Sequence, residues 1–178
     1  MLYIEKEGLP KDVSSKIIEL SKSKEWKKID ENDTDAIRRV FDNDFPKNEV
    51  KKILLHEQHG ICAYCMKRVR MDSHSRVEHL VPLSKDKDKA IDYNNMFGVC
   101  DGGERITEDQ GHVLCCDAHK KENEISTSSL DKFQMDKIAY DKMGGFIQNR
   151  ETRLWREILT KFIIKWNSEK GWNCAGYV

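Results

Sequence analysis

The sequence predicts an α+β, mostly helical fold, in which helices flank a short central element of strands and loops held together by cysteines. Three observations predict it. Apolar residues recur at helical spacing over 11–28, 33–41, 47–58 and 149–166; that periodicity lapses between Ile61 and Asn123; and the lapse contains Cys62, Cys65, Cys100, Cys115 and Cys116. This is the pattern expected where metal ligation substitutes for an apolar core.

The elements follow in chain order. Over 11–28, Val13, Ile17, Ile18, Leu20 and Trp26 lie between lysines and predict an amphipathic helix. The stretch 33–41 opens on capping residues, places Ile37, Val40 and Phe41 on one face, and is punctuated by Pro46. Over 47–58, Val50, Ile53 and Leu54 repeat at three and four, and Gly60 stands beyond the end as a C-cap. That helix delivers the chain into Cys62. A short strand is expected over 76–80 and a brief helix after Cys115. Residues 130–147 fit a helix or a hairpin equally well, whereas 149–166 carries Leu154, Trp155, Ile158, Phe162 and Trp166 on one helical stripe.

A chain of 178 residues suits one domain, 1–178, with 54–123 as its core element and 1–53 and 124–178 as flanking helical elements. Hydrophobic residues at 38%, with four Trp, six Phe and five Tyr, argue against full disorder. The formal charge is zero, so a polyanion would have to be met by a local patch; between Ile61 and Ala90 there are seven Lys/Arg against four Asp/Glu. The first residues lack a signal-peptide pattern, and no stretch nears the ~18 consecutive apolar residues of a membrane span, so a cytoplasmic protein is expected. In a reducing compartment six cysteines read as metal ligands or buried thiols rather than disulfides.

Cys62-Ala-Tyr-Cys65 is half of a structural zinc site, because a two-residue gap lets two thiolates reach one tetrahedral ion. Cys100, His112, Cys115, Cys116 and His119 supply the pool for the other half, and the preferred set is Cys62, Cys65, Cys100 and Cys116. The plainer readings are that Cys100 is a small buried hydrophobe and that Cys62 and Cys65 are a redox pair, although a helix before the motif and "MKRVRMD" after it disfavour the latter. Cys174 looks unrelated. In "RVEHLVP", Glu78 and His79 sit inside a strand-like apolar segment, and taken alone His79 reads as a strand-end histidine satisfied by a carbonyl.

The order of these parts changes that reading. "LLHEQHGICAYC", "RVEHLVP", "DYNNMFGVC" and "CDAHK" together resemble the HNH nucleases across residues 54–123, and most closely the PtuB-like HNH proteins of Septu and retron antiphage systems. The resemblance implies a zinc-stapled ββα-metal core and a phosphodiester hydrolase. His79 would be the general base and Asn95 the brace of its loop. Glu78 would be one ligand of a catalytic Mg²⁺ or Mn²⁺, and Asp117 or His119 the second, Asp117 standing where the commonest pattern has a histidine. Arg76, Lys120 and Arg68 would meet phosphates of the nucleic acid. It also implies an ATPase partner of the PtuA type. The alternative from another class is a zinc-stapled module that grips nucleic acid or protein without cutting. Adjacent Cys115 and Cys116 leave a one-residue ambiguity in the zinc set and in everything after it.

Overall fold

A computed structural model describes residues 3–104, 114–124 and 128–136, together with two strands at 138–140 and 146–148. The helix expected at 149–166, His112 and Cys174 lie outside the described residues. Among the described residues the fold is α+β: six α-helices and a small antiparallel pair of strands, with a second short hairpin after them.

The first amphipathic stretch is not one helix but two, α1 (Lys11–Lys22) and α2 (Lys24–Lys28). Ser23 breaks it: its backbone is extended and its hydroxyl accepts from the Trp26 amide at 3.0 Å, capping the new helix. The turn drives Trp26 into the core. In α3 (Thr34–Asn43), Asp33 caps the Ala36 amide at 2.9 Å, and Ile37 and Phe41, one turn apart, are both buried. Helix α4 (Lys47–Glu57) buries Val50, Leu54 and Leu55. It ends where His59 and Gly60 take φ of 53° and 68°, with the Gly60 amide returning to the Leu55 carbonyl at 2.7 Å. The left-handed exit is thus shared by two residues.

Strand β1 (Ser75–His79) pairs antiparallel with β2 (Met96–Cys100), setting Val77 opposite Gly98 and His79 opposite Met96. Two 3₁₀ turns, Asp88–Ala90 and Tyr93–Asn95, carry the chain between them. Helix α5 (Cys116–Lys120) packs on β2. The ambiguous segment at 130–147 contains both alternatives, since α6 (Lys132–Met135) is followed by a hairpin of β3 (Ile138–Tyr140) and β4 (Phe146–Gln148).

The strand pair divides two apolar clusters. One joins the helices through Val13, Trp26, Ile37, Phe41, Val50 and Leu54 to Val77 and Met96; the other gathers Ile4, Tyr64, Val69, Phe97, Val99 and Met135 around Cys62 and Cys116. Alternation along the strands sorts residues between them. Gln58 ties the end of α4 to β2, its side chain accepting from the Gly98 amide and donating to the Gly98 carbonyl, both at 2.7 Å.

Candidate metal centre and adjoining cleft

The chain leaving α4 folds back as a tight knuckle. Ile61 bridges to Arg68, the Cys62 amide donates to the Lys67 carbonyl at 2.9 Å, and the Met66 amide closes on the Cys62 carbonyl at 3.0 Å. The end of β2 brings in Cys100 and the start of α5 brings in Cys116, whose φ of 49° marks the sharp entry into that helix. The four sulfurs lie within 4.8 Å of one another, with Cys62 to Cys116 at 3.9 Å and Cys65 to Cys100 at 3.8 Å.

This geometry can be tested against a tetrahedral zinc ion. Zn–S bonds of ~2.3 Å put the sulfurs about 3.8 Å apart. The two measured separations fit, so the tetrad can hold an ion such as zinc. The electrostatics agree: contact with Cys100, Cys62 and Cys65 holds the Cys116 thiol far above its ordinary range, because four sulfurs this close cannot all ionise without a cation. Cys116 rather than Cys115 completes the set, and Cys100 lies in it instead of serving as apolar filler; Cys115 is disulfide-bonded, against the expectation that the cysteines form no disulfide.

Beside the tetrad, β1 floors a cleft of about 720 Å³ walled by α3, α4, α5 and the residues after α5. Arg76 and Glu78 point toward α5, where Arg76 Nη1 meets Asp117 Oδ2 at 3.2 Å and Lys120 Nζ meets Glu78 Oε1 at 2.8 Å. Val77 and His79 belong to the other face, where the His79 ring lies edge-on to Phe41 with centroids 4.7 Å apart. Both Glu78 and His79 still line the cleft, because β1 ends at His79 and its last residue borders the opening.

Glu78 is buried, and its carboxyl is pushed up to about 8 by burial and by the facing Asp117 carboxylate, against the opposing pull of Lys120. Tyr64, between the two knuckle cysteines, donates to the same Oε1 at 3.2 Å and so couples the metal tetrad to the carboxylate. His79 is also buried, and desolvation brings it down to about 4, leaving a neutral imidazole at pH 7. Its Nε2 lies 3.0 Å from the Ala90 carbonyl and donates there, so Nδ1 carries the lone pair. Asn95 makes three bonds to the intervening loop. Its Oδ1 accepts from the Val81 amide at 2.8 Å, and its Nδ2 donates to the Val81 and Lys89 carbonyls at 2.9 Å each.

Three expected site residues are placed otherwise. Lys120 does not reach out to phosphate: it is 2% exposed, paired to Glu78, and donates to the His79 carbonyl at 2.8 Å. His119 is half-buried and absent from the cleft lining, since two steps along a helix turn it well away from Asp117. Arg68 is exposed on the knuckle, outside the cleft. The basic stretch of 61–90 disperses likewise, with Lys87 over the Trp26 ring and Lys89 on Asp92. Tyr64 and Gln58 were legible only as neighbours of the motif residues.

Among the described residues no helix is long and apolar enough to cross a membrane. Comparison of the chain with family models, with curated proteins and with solved structures finds no match in any of the three.

Proposed function

We propose that the protein is a metal-dependent HNH-type endonuclease, in which zinc on the cysteine tetrad fixes the fold and a hard divalent ion serves the reaction. The observation that carries this reading is the convergence of Glu78, Asp117 and a neutral His79 on one cleft beside the tetrad. Two facing carboxylates call for a proton or a cation, and their oxygen donors fit Mg²⁺ or Mn²⁺. When bound, such an ion supplies positive charge to a phosphodiester and its leaving oxygen.

The chain's own residues do the rest. His79 Nδ1 is free of the Ala90 bond and accepts a proton from an attacking water. Lys120, through the His79 carbonyl, and Asn95, through Val81, hold the strand end that aims the ring. Arg76 stands at the cleft on Asp117 and Glu104, where a phosphate can compete for its guanidinium.

The test pairs metal analysis with incubation on plasmid, single-stranded DNA and transfer RNA, with and without Mg²⁺. Wild-type protein is expected to carry about one zinc and to cut only with the second ion, while His79→Ala keeps the fold and loses cutting by at least ~10²-fold. Full activity in folded His79→Ala overturns the assignment. A second reading, the non-catalytic zinc-stapled binding module, is favoured by the ion pairs that already neutralise Glu78 and Asp117; it expects zinc and binding without metal-dependent cutting. An ATPase partner of the PtuA type and a cytoplasmic setting rest on the family resemblance, and the disulfide at Cys115 does not favour a reducing compartment. Co-purification with such an ATPase is the corresponding test.

A further inference from the structure

The walls of the cleft differ in charge. Glu78, Asp117, Glu104 and Glu122 come from β1, α5 and the loops beside them together with Arg76, Lys120 and Lys121, whereas α3 and α4, outside the cysteine element, contribute Arg38, Lys47 and Lys51 against Asp42. Lys47 and Lys51 lie one helical turn apart, so their backbone positions fall on one face of α4, about 6 Å apart along the axis.

Neither lysine is committed to a strong partner. Lys47 pairs with Asp42 at 2.6 Å, but both side chains are well exposed and such a pair yields readily to a competing anion. Lys51 is held in place by the carbonyls of Asp72 and Ser75 at 3.1 and 3.2 Å, neutral acceptors, and the Asp72 carboxylate acts on it only through space. Burial lowers the Lys51 ammonium, the Asp72 carboxylate opposes that shift, and the neighbouring charge of Lys47 adds a smaller lowering. Two like charges stacked on one face destabilise a helix unless an anion lies across them.

Glu122 also lines the cleft, where Arg38 reaches it at 3.7 Å from α3 and Ser84 meets it from the loop after β1. Glu78 and His79 are 7% and 6% exposed, so a phosphodiester has to be brought below the surface to reach them, which a flexible single strand does more readily than a rigid duplex.

We propose that Lys47 and Lys51 of α4, with Arg38 of α3, form the phosphate-binding wall of the cleft and guide the sugar-phosphate backbone of single-stranded nucleic acid along it. The identity of the ligand rests on the nuclease reading; the cationic wall itself does not. DNA and RNA share the phosphate chemistry, and separate arms of the experiment tell them apart.

The experiment measures binding of short fluorescein-labelled single-stranded DNA, single-stranded RNA and the matching DNA duplex to full-length His79→Ala protein. Anisotropy is read over a salt series, with no divalent ion but zinc. At least one single strand should bind more tightly than the duplex. Lys47→Gln should lower the slope of log affinity against log salt by about 0.7, and Lys47→Gln with Lys51→Gln by about 1.4, with affinity down on the order of tenfold. Arg68→Gln, on the knuckle, should change neither. Lys51→Arg keeps the charge and should restore affinity, which separates phosphate binding from loss of the Asp72 and Ser75 contacts. Unchanged slope and affinity in folded Lys47→Gln, an equal loss in Arg68→Gln, or tighter binding of the duplex overturns the proposal. Binding that follows these variants in a protein that never cuts removes the nuclease reading and leaves the wall. Cutting by a protein whose lysine variants bind like wild type does the reverse.

Discussion

Glu78 and His79 are neighbours in sequence whose titrations are displaced in opposite directions, and this has a measurable signature in stability. The raised carboxyl, about 8 against an ordinary 4.5, means that the folded state keeps a proton the unfolded state loses, so this contribution is complete below 4.5 and is lost as pH climbs through 8. The lowered imidazole, about 4 against 6.5, works the other way: stability gains as pH rises from 4 to 6.5 and is lost as it falls through 4. Between 4.5 and 6.5 the two cancel, because each state holds one proton on this pair. Removing either group unmasks the other. In urea titrations without added magnesium, His79→Gln is expected to lose stability between 4.5 and 8 relative to Glu78→Gln, which gains it between 4 and 6.5, with limiting slopes of about 1.4 kcal/mol per pH unit. Parallel profiles for the two variants would show that neither group is displaced. The sequence displayed this pair but not its burial, because the apolar residues of "RVEHLVP" are equally compatible with a strand whose polar face meets solvent.

At the scale of elements, the contact between α4 and β2 depends on a residue with no side chain. A Cβ on Gly98 would stand 2.7 Å from Leu55 Cδ2 and 3.4 Å from both polar atoms of the Gln58 amide. Gly98→Ala therefore has to displace Leu55 from the core or break the paired bonds of Gln58. A loss of about 1–3 kcal/mol in chemical denaturation is expected, with little effect on zinc content, since no sulfur lies among those neighbours. A neutral outcome would mean that β2 is not seated on α4 as described. The helices themselves were legible: Val50, Leu54 and Phe41 recur at the right interval, and the structure buries each. The break at Ser23 was not, because the apolar spacing runs through it and a serine next to lysines is equally at home on an exposed helix face.

Across the whole molecule, the two clusters depend on different forces. The helical cluster is built of ordinary aliphatic and aromatic side chains, whereas the other has Cys62 and Cys116 inside it. The amino-terminal segment leans on this second half, since the Ile4 amide donates to the Ser129 carbonyl at 2.8 Å and the Ile4 side chain joins the cysteine cluster. Withdrawing zinc with a strong chelator, or Cys62→Ser, is expected to release Val69, Val99 and the amino-terminal segment while α3 and α4 persist. Hydrogen exchange should show protection lost at Val69 and Val99 and largely retained at Ile37 and Val50. Uniform protection after chelation would mean that the tetrad carries no metal of consequence. Uniform loss would mean that the molecule folds as one cooperative unit.

The sequence by itself determined the helical stretches apart from the break at Ser23, the pool of cysteines from which the sulfur tetrad is drawn, and the order in which Glu78, His79, Asn95 and Asp117 occur, because periodicity and ligand spacing are properties of short stretches of chain. Only the tertiary structure decided that Cys116 and not Cys115 joins the tetrad, that Lys120 turns inward to Glu78, that His119 faces away, and that α3 and α4 contribute cations to the cleft besides Arg76, Lys120 and Lys121. The reason is that a charge acts through its distance and its exposure to water, and both are set by residues far away in sequence.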